Sequence, residues 1–259
     1  MATKTDIQKV ANLLHHSSET QVPVSPIREI IGTEDLDAAY AAQDINARRR
    51  AKAGDIITGK KIGLTSFAVQ EQLGVDQPDY GVLFNTMEVN NSILSFSELM
   101  QPKAEAEIAF MMAEDLGGDI NMSDLIEAIE YATCAIEIVG SRVADWNIRI
   151  TDTIADNASA SHYILGDAKV NIEDIDLAAC KMSMLKNGEV ASEGSGAACM
   201  DNPLNAALWL AQTMARQGNP LRKGEILLSG ALGPMVVIEK GDEFVADIEG
   251  LGSVKLTIK

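Results

Sequence analysis

Two glutamates, Glu105 and Glu107, stand two positions apart in the segment KAEAEIAF (residues 103–110), a run that is otherwise apolar and strand-like. The pattern returns in CAIEIVGSR, where Glu137 is the one charged group among Cys134, Ala135, Ile136, Ile138 and Val139. In a β-strand residues i and i+2 share a face, with Cα atoms about 6.6 Å apart. A Glu-x-Glu pair alone is common on the solvent face of an amphipathic strand. Glu137 has no such explanation, because apolar residues of both parities surround it and its strand must be buried on both faces. An isolated carboxylate is costly to bury without a partner, and three of them on converging strands would repel one another. A divalent cation that selects hard oxygen ligands, Mg²⁺ or Mn²⁺, removes that conflict. The expectation is a metal site made by Glu105, Glu107 and Glu137.

Composition narrows the partners. Of 259 residues 46% are hydrophobic and 20 are glycine, as in a packed chain, and with aromatics at 4% the core must rest on aliphatic residues and the 11 methionines. The net charge of −17 argues against nucleic acid or an anionic membrane as partner. Cys134, Cys180 and Cys199 are far apart and form no C-x-x-C pair, which suggests neither zinc nor a redox dithiol. Reduced thiols, an N-terminus without a continuous apolar stretch, and no window near the ~20 apolar residues that span a bilayer point to a soluble cytoplasmic protein.

Residues 1–54 read as helical. Ile7, Val10, Leu13 and Leu14 repeat at helical spacing, Pro23 and Pro26 break the pattern, and Thr33 is the expected N-cap of a helix running to Arg50 and stopping near Gly54. The basic triplet Arg48–Arg49–Arg50 complements the C-terminal dipole of that helix rather than forming a phosphate site. From residue 55 the pattern changes to short apolar strands punctuated by glycine. A helix capped by Ser66 and stopped by Gly74, a strand near 104–113, a helix near 124–132 opened by Ser123, and the Glu137 strand follow. Asn187–Gly188 predicts a hairpin turn, and Asn202–Pro203 opens a helix ending at Gly218. At least three strands close the chain. With no regular βα alternation, G-x-G-x-x-G or Walker motif, the fold class is α+β and β-rich. A helical N-terminal lobe spans 1–54 and a β-rich catalytic domain 55–259.

Other segments carry candidate chemistry. In GKKIGLTS, Lys61 shares its parity with Gly59 and Gly63, which leave a ligand room to approach. Such a lysine either binds a carboxylate and manages protons or is a surface charge on an edge strand. In GVDQPDYG, Asp79 is preferred to Asp76 as a proton-transfer group, although turn chemistry accounts for much of that segment. The segment 151–166, TDTIADNASASHYILG, offers carboxylate and hydroxyl groups for a bound anion or water, or is a plain polar loop. His162 reads as structural, and no G-x-S-x-G elbow or Cys–His pair indicates nucleophilic catalysis.

Taken in order, GKKIGLTS, LGVDQPDYG, PKAEAEIAF, AIEIVGSRVADW, DTIADNAS and ILLSGAL resemble the 2-keto-4-pentenoate hydratase (2-hydroxypenta-2,4-dienoate hydratase) group of the fumarylacetoacetate hydrolase superfamily, from about residue 25 onward. The resemblance implies a mixed β-roll in which Glu105, Glu107 and Glu137 hold Mg²⁺ or Mn²⁺, with the motif lysine at Lys61 and the motif aspartate at Asp79. It also implies a homo-oligomer active in meta-cleavage degradation of aromatic compounds. A small 2-oxo acid would chelate the cation, protonation at C5 would give an unsaturated 2-oxo acid, and water would add at C4 to yield 4-hydroxy-2-oxopentanoate. Which of Lys61 and Asp79 donates and which abstracts stays open. The nearest alternative is 4-oxalocrotonate decarboxylase, against which Gln77–Pro78–Asp79, Trp146 and Asp152–Thr153 look more hydratase-like. An acylpyruvate hydrolase would need a His/Glu pair that the chain lacks. A non-catalytic, metal-stabilised subunit associated with a sister pathway enzyme is the remaining alternative.

Overall fold

The computed structural model describes residues 1–67, 70, 71, 75 and 77–259. Gly74 and Asp76, on which the expected short helix and the second candidate aspartate depend, lie outside the described residues. The chain opens with three helices, α1 (Lys4–Thr20), α2 (Arg28–Ile31) and α3 (Leu36–Ala53). Asp35 rather than Thr33 caps α3, its side chain accepting from Ala38 N. The shift follows from geometry, because a capping side chain must reach the N–H two or three residues on. Gly54 closes the helix in the left-handed region at φ 113°. The basic triplet is solvated or locally paired: Arg48 bonds Asp44, and Arg50 bonds Asp55 while lying 4.1 Å over the Phe84 ring.

Among the described residues one sheet runs in the order β2-β1-β9-β4-β5-β6. Its strands are β1 (Ile57–Gly63), β2 (Asp79–Phe84), β4 (Lys103–Met112), β5 (Ile129–Val139), β6 (Ala160–Leu165) and β9 (Ile226–Ala231), with β10 (Val236–Val237) added against β4. β1 and β9 pair in parallel and the other pairs are antiparallel. A second sheet runs β3-β12-β11-β7-β8, built from β3 (Ile93–Leu94), β7 (Lys181–Lys186), β8 (Glu189–Ser195), β11 (Glu243–Ile248) and β12 (Gly252–Ile258). Asn187 and Gly188, at φ 56° and 85°, make the expected two-residue turn between β7 and β8. This is the expected β-rich α+β architecture, and β1 lies inside its sheet rather than at an edge.

Further helices among the described residues include α4 (Met122–Ala128), α5 (Ile150–Ala155) and α6 (Pro203–Arg216). α4 starts two residues earlier than expected because Asn121 accepts from Ser123 N and Asp124 N, and it ends at Ala128. The next residues, Ile129–Thr133, extend β5 instead and pair with β4 through Met112↔Ile129 and Met111↔Tyr131. β-branched and aromatic residues favour the pleated conformation once a partner strand is available.

The period-two rule sorts β4 and β5 onto two buried faces. Ala104, Ala106, Ile108, Phe110 and Met112, with Cys134, Ile136 and Ile138, join the main core that also takes in the second sheet and α6. The odd-numbered residues face a smaller cluster containing Ala109, Ala135, Tyr163 and Leu228. All three glutamates fall on that second face. The N-terminal helices bury Val10, Leu14, Ala38, Ala39 and Ala42 against Ile150, Ile154 and Ala155, so α5 is held between them and the sheet. Among the described residues no helix is long and apolar enough to cross a membrane.

Candidate active site

Register brings the carboxylates together. Glu105 lies directly opposite Glu137 across the β4–β5 ladder, and Glu107 opposite Ala135 places the third carboxylate on the diagonal. One oxygen from each of the three lies within 4.8 Å of the others. Glu107 and Glu137 are buried at 1% and 0% exposure, while Glu105 is only partly buried. Neither oxygen of Glu137 has a hydrogen-bond partner. Glu107 Oε2 accepts from Gly230 N at 2.9 Å, and Gly230 sits at φ 110° with the Thr65 side chain packed where a Cβ would lie. Burial first, and then the neighbouring Glu137, push Glu105 up to about 7. The same two causes, with Glu105, hold Glu107 well above the usual carboxylate range. Burial also raises Glu137, against the pull of Lys61. A buried, mutually repelling set of hard oxygens, two of them without hydrogen bonds, fits a divalent cation.

Lys61 Nζ lies 3.2 Å from Glu137 Oε2 and donates to Ala158 O at 3.0 Å. β9 and β4 separate β1 from β5, which in a flat sheet would leave them about 14 Å apart; the curl of the sheet closes that gap. Burial acts to lower the lysine's pKa, but Glu137, Asp79, Glu105 and Glu107 outweigh it and hold the ammonium charged. Lys60 points the other way, as alternation requires, and meets Glu225 at 3.2 Å.

Asp79 opens β2 opposite Gly63 and is 1% exposed. Its Oδ2 accepts from Thr153 Oγ1 at 3.1 Å, whereas Oδ1 has no hydrogen-bond partner. Burial raises its pKa, and Lys61 and Thr153 only partly offset that. A Cβ at Gly63 would overlap Asp79 Oδ1 and lie 3.4 Å from Lys61 Nζ. Gly63→Ala is therefore expected to displace Asp79 and Lys61 and to lower any turnover that depends on them by on the order of 10²-fold, with the melting temperature nearly unchanged. Steady-state kinetics beside a thermal melt checks both.

From the polar segment 151–166 the sequence singled out Asp152–Thr153 and His162, but not the contacts that they and their neighbours make. α5 carries Thr153 toward Asp79 and Asp152 away from it, to Arg28 at 2.6 Å. Ser159 Oγ is 3.5 Å from Thr153 Oγ1. Asn157, Ala158 and Ser159 are all left-handed, at φ 56°, 49° and 57°, which turns Ala158 O onto Lys61. Only Asn157 belongs to a residue type that favours this region, so the run has almost no signature. Asp156 pairs with Arg142 in the buried turn before it. His162 is structural as expected: Ser161 meets its Nδ1 at 2.9 Å and burial lowers its pKa to about 4.

A cleft of about 700 Å³ opens onto Lys61, Asp79, Glu105, Thr153 and Ser159, and its apolar lining includes Trp146, Ile148, Leu232 and Met235. That size suits a small organic molecule.

Residues 67–259 match the family described as fumarylacetoacetate (FAA) hydrolase C-terminal. The chain is 52% identical over 250 residues to the TodF product hydratase of Pseudomonas putida, covering 96% of this chain and 93% of that one. It is 48% identical to a 2-keto-4-pentenoate hydratase of Paraburkholderia phymatum, covering 98% of each chain. Among solved structures, 4-oxalocrotonate decarboxylase from Pseudomonas putida G7, complexed with magnesium and adipate, superposes with a TM-score of 0.94 at 30% identity, covering 100% of this chain and 99% of that one.

Proposed function

The chain belongs to the fumarylacetoacetate hydrolase family, and from that premise we propose a metal-dependent hydro-lyase that adds water to 2-hydroxypenta-2,4-dienoate to give 4-hydroxy-2-oxopentanoate. The similarity to hydratases over nearly the whole chain supports this reading, and a role in the degradation of aromatic compounds is part of the proposal. The observation that carries it is the cluster of Glu105, Glu107 and Glu137 beside Lys61, with Glu105, Lys61 and Asp79 lining one cleft. The three glutamates would hold Mg²⁺ or Mn²⁺, and when bound the cation supplies Lewis acidity toward the oxygens of a 2-oxo acid. The enzyme is read as a cytoplasmic homo-oligomer.

The chain's own groups account for the proton traffic. Ketonisation of the dienol removes the proton of the 2-hydroxyl and adds one at C5; hydration then adds hydroxide at C4 and a proton at C3. Asp79 Oδ1 is the atom suited to carry these protons: buried, without a hydrogen-bond partner, and on a carboxyl whose pKa is raised. Lys61 serves as a fixed positive charge that orients the substrate's anionic end, since four carboxylates keep it protonated. Thr153 fixes the far oxygen of Asp79, and Ser159, 3.5 Å from Thr153 Oγ1, lines the same cleft.

Two measurements test the reading. The purified protein with Mg²⁺ or Mn²⁺ is offered 2-hydroxypenta-2,4-dienoate and, separately, 4-oxalocrotonate. Loss of dienol absorbance with 4-hydroxy-2-oxopentanoate as product supports the hydratase; CO₂ release from the second substrate alone would make it a decarboxylase. Asp79→Asn is expected to lower kcat by on the order of 10²–10³-fold while KM changes little. Wild-type kcat in that variant would remove Asp79 from the chemistry.

A further inference from the structure

Among the described residues β2 is the terminal strand of its sheet, and the backbone groups on its outer edge pair with no described strand. Two side-chain amides meet them instead. Asn157 accepts from Val82 N at 2.8 Å and donates to Val82 O at 2.9 Å. Gln43 of α3, 5% exposed, donates from Nε2 to both Tyr80 O and Ile154 O, each at 2.9 Å. Tyr80 and Ile154 come immediately after Asp79 and Thr153, whose side chains are hydrogen-bonded to each other. A single amide thus ties β2 to α5 beside the contact that orients Asp79. Its companions on the inner face of α3, Ala38, Ala39 and Ala42, only fill the apolar cluster. A buried amide among such neighbours is costly unless its donors are used, and both uses converge on these two backbones.

We propose that Gln43 is a positioning residue for the reaction: it fixes the separation of β2 and α5, keeps Thr153 Oγ1 on Asp79 Oδ2, and so leaves Asp79 Oδ1 turned to the substrate. The inference rests on the hydratase reading for its kinetic consequences but not for its geometry. Gln43→Met keeps the length of the side chain and removes both donors. Gln43→Asn keeps an amide too short to span the two carbonyls, and stands in if the methionine variant does not fold.

The test is a double-mutant cycle with Thr153→Val, following kcat, KM and the melting temperature at saturating Mn²⁺. Either Gln43 variant is expected to lower kcat by about tenfold with KM within about twofold. In the Thr153→Val background the same change should alter kcat by less than about twofold, because the contact it maintains is already gone. Equal fold losses in both backgrounds, or a lower melting temperature with wild-type kcat, would overturn the inference. A crystal structure of Gln43→Asn gives a readout independent of substrate: a Thr153–Asp79 separation beyond hydrogen-bonding range supports the proposal, and an unchanged bond refutes it. A wild-type protein that does not hydrate the dienol would count against the hydratase reading alone, and the crystal structure would still decide the role of Gln43.

Discussion

Glu107→Gln is expected to abolish turnover, with kcat/KM falling by on the order of 10³-fold or more, while the protein stays folded. The size follows from losing a ligand to a cation whose charge stabilisation is worth several kcal/mol. Folding should survive because glutamine keeps the shape and the acceptor for Gly230 N. Burial and the neighbouring Glu137 and Glu105 already hold Glu107 well above the carboxylate range, so a neutral amide relieves repulsion in the metal-free protein. A catalytic site therefore predicts lost activity at an equal or higher metal-free melting temperature. A purely structural metal site predicts the reverse, with a large loss of stability and no dienol activity to lose. Kinetics and metal-free melts of the one variant separate them.

The stability of the metal-free protein should fall as pH rises through the range of the triad, and a divalent cation should reverse that fall. Glu105 titrates near 7 when folded, raised mainly by burial and then by Glu137, against about 4.3 in an unfolded chain. A raised carboxylate pKa means the native state binds protons more tightly than the unfolded one. Its favourable contribution is complete below the unfolded value and is lost as pH climbs toward 7. Because Glu105 keeps some solvent contact, the effect is of the order of 1–2 kcal/mol. Mn²⁺ at about 100 times its Kd should restore about 2.7 kcal/mol, with a larger gain at pH 8 than at pH 5, where protons compete for the ligands. Other groups slope the opposite way; Asp242, lowered by hydrogen bonds from Asn187 and Glu239 and by Lys186 despite its burial, loses its contribution as pH falls. Melts of wild type and Glu107→Gln from pH 5 to 8, with chelator or Mn²⁺, isolate the triad in their difference. A cation-dependent gain independent of pH, or equal in the variant, would exclude these carboxylates as ligands.

The carboxylate cluster was legible because its residues break a rule. A charge at Glu137 amid apolar residues of both parities is anomalous in a buried strand, and the register of β4 and β5 turned that anomaly into the opposed pair Glu105↔Glu137. Alternation set Lys61 apart from Lys60 and beside Gly63 but left a surface charge open, and its role came from the resemblance. Asp79 came less from chemistry than from resemblance, since its Pro–Asp neighbourhood reads equally as a turn. What could not be read depends on contacts between distant segments. Gln43, 37 and 111 positions from its partners, looks like any polar residue on an amphipathic helix. Thr153 acquires its bond to Asp79 only once α5 is wedged between the N-terminal helices and β2, and the left-handed run at 157–159 has one favourable residue to announce it. Helix ends were misread for a local reason: Thr33 and Ser123 are good caps by type, but Asp35 and Asn121 hold the backbone geometry that uses them.

A crystal structure with Mn²⁺ and oxalate, an analogue of the 2-oxo acid end of the substrate, tests the central claim most directly. The account predicts a single anomalous peak per chain bonded by Glu105, Glu107 and Glu137, with oxalate on the same ion and Lys61 and Asp79 bordering it. An ion bound elsewhere, or oxalate bound in the cleft of a protein whose three glutamates hold no metal, would contradict it.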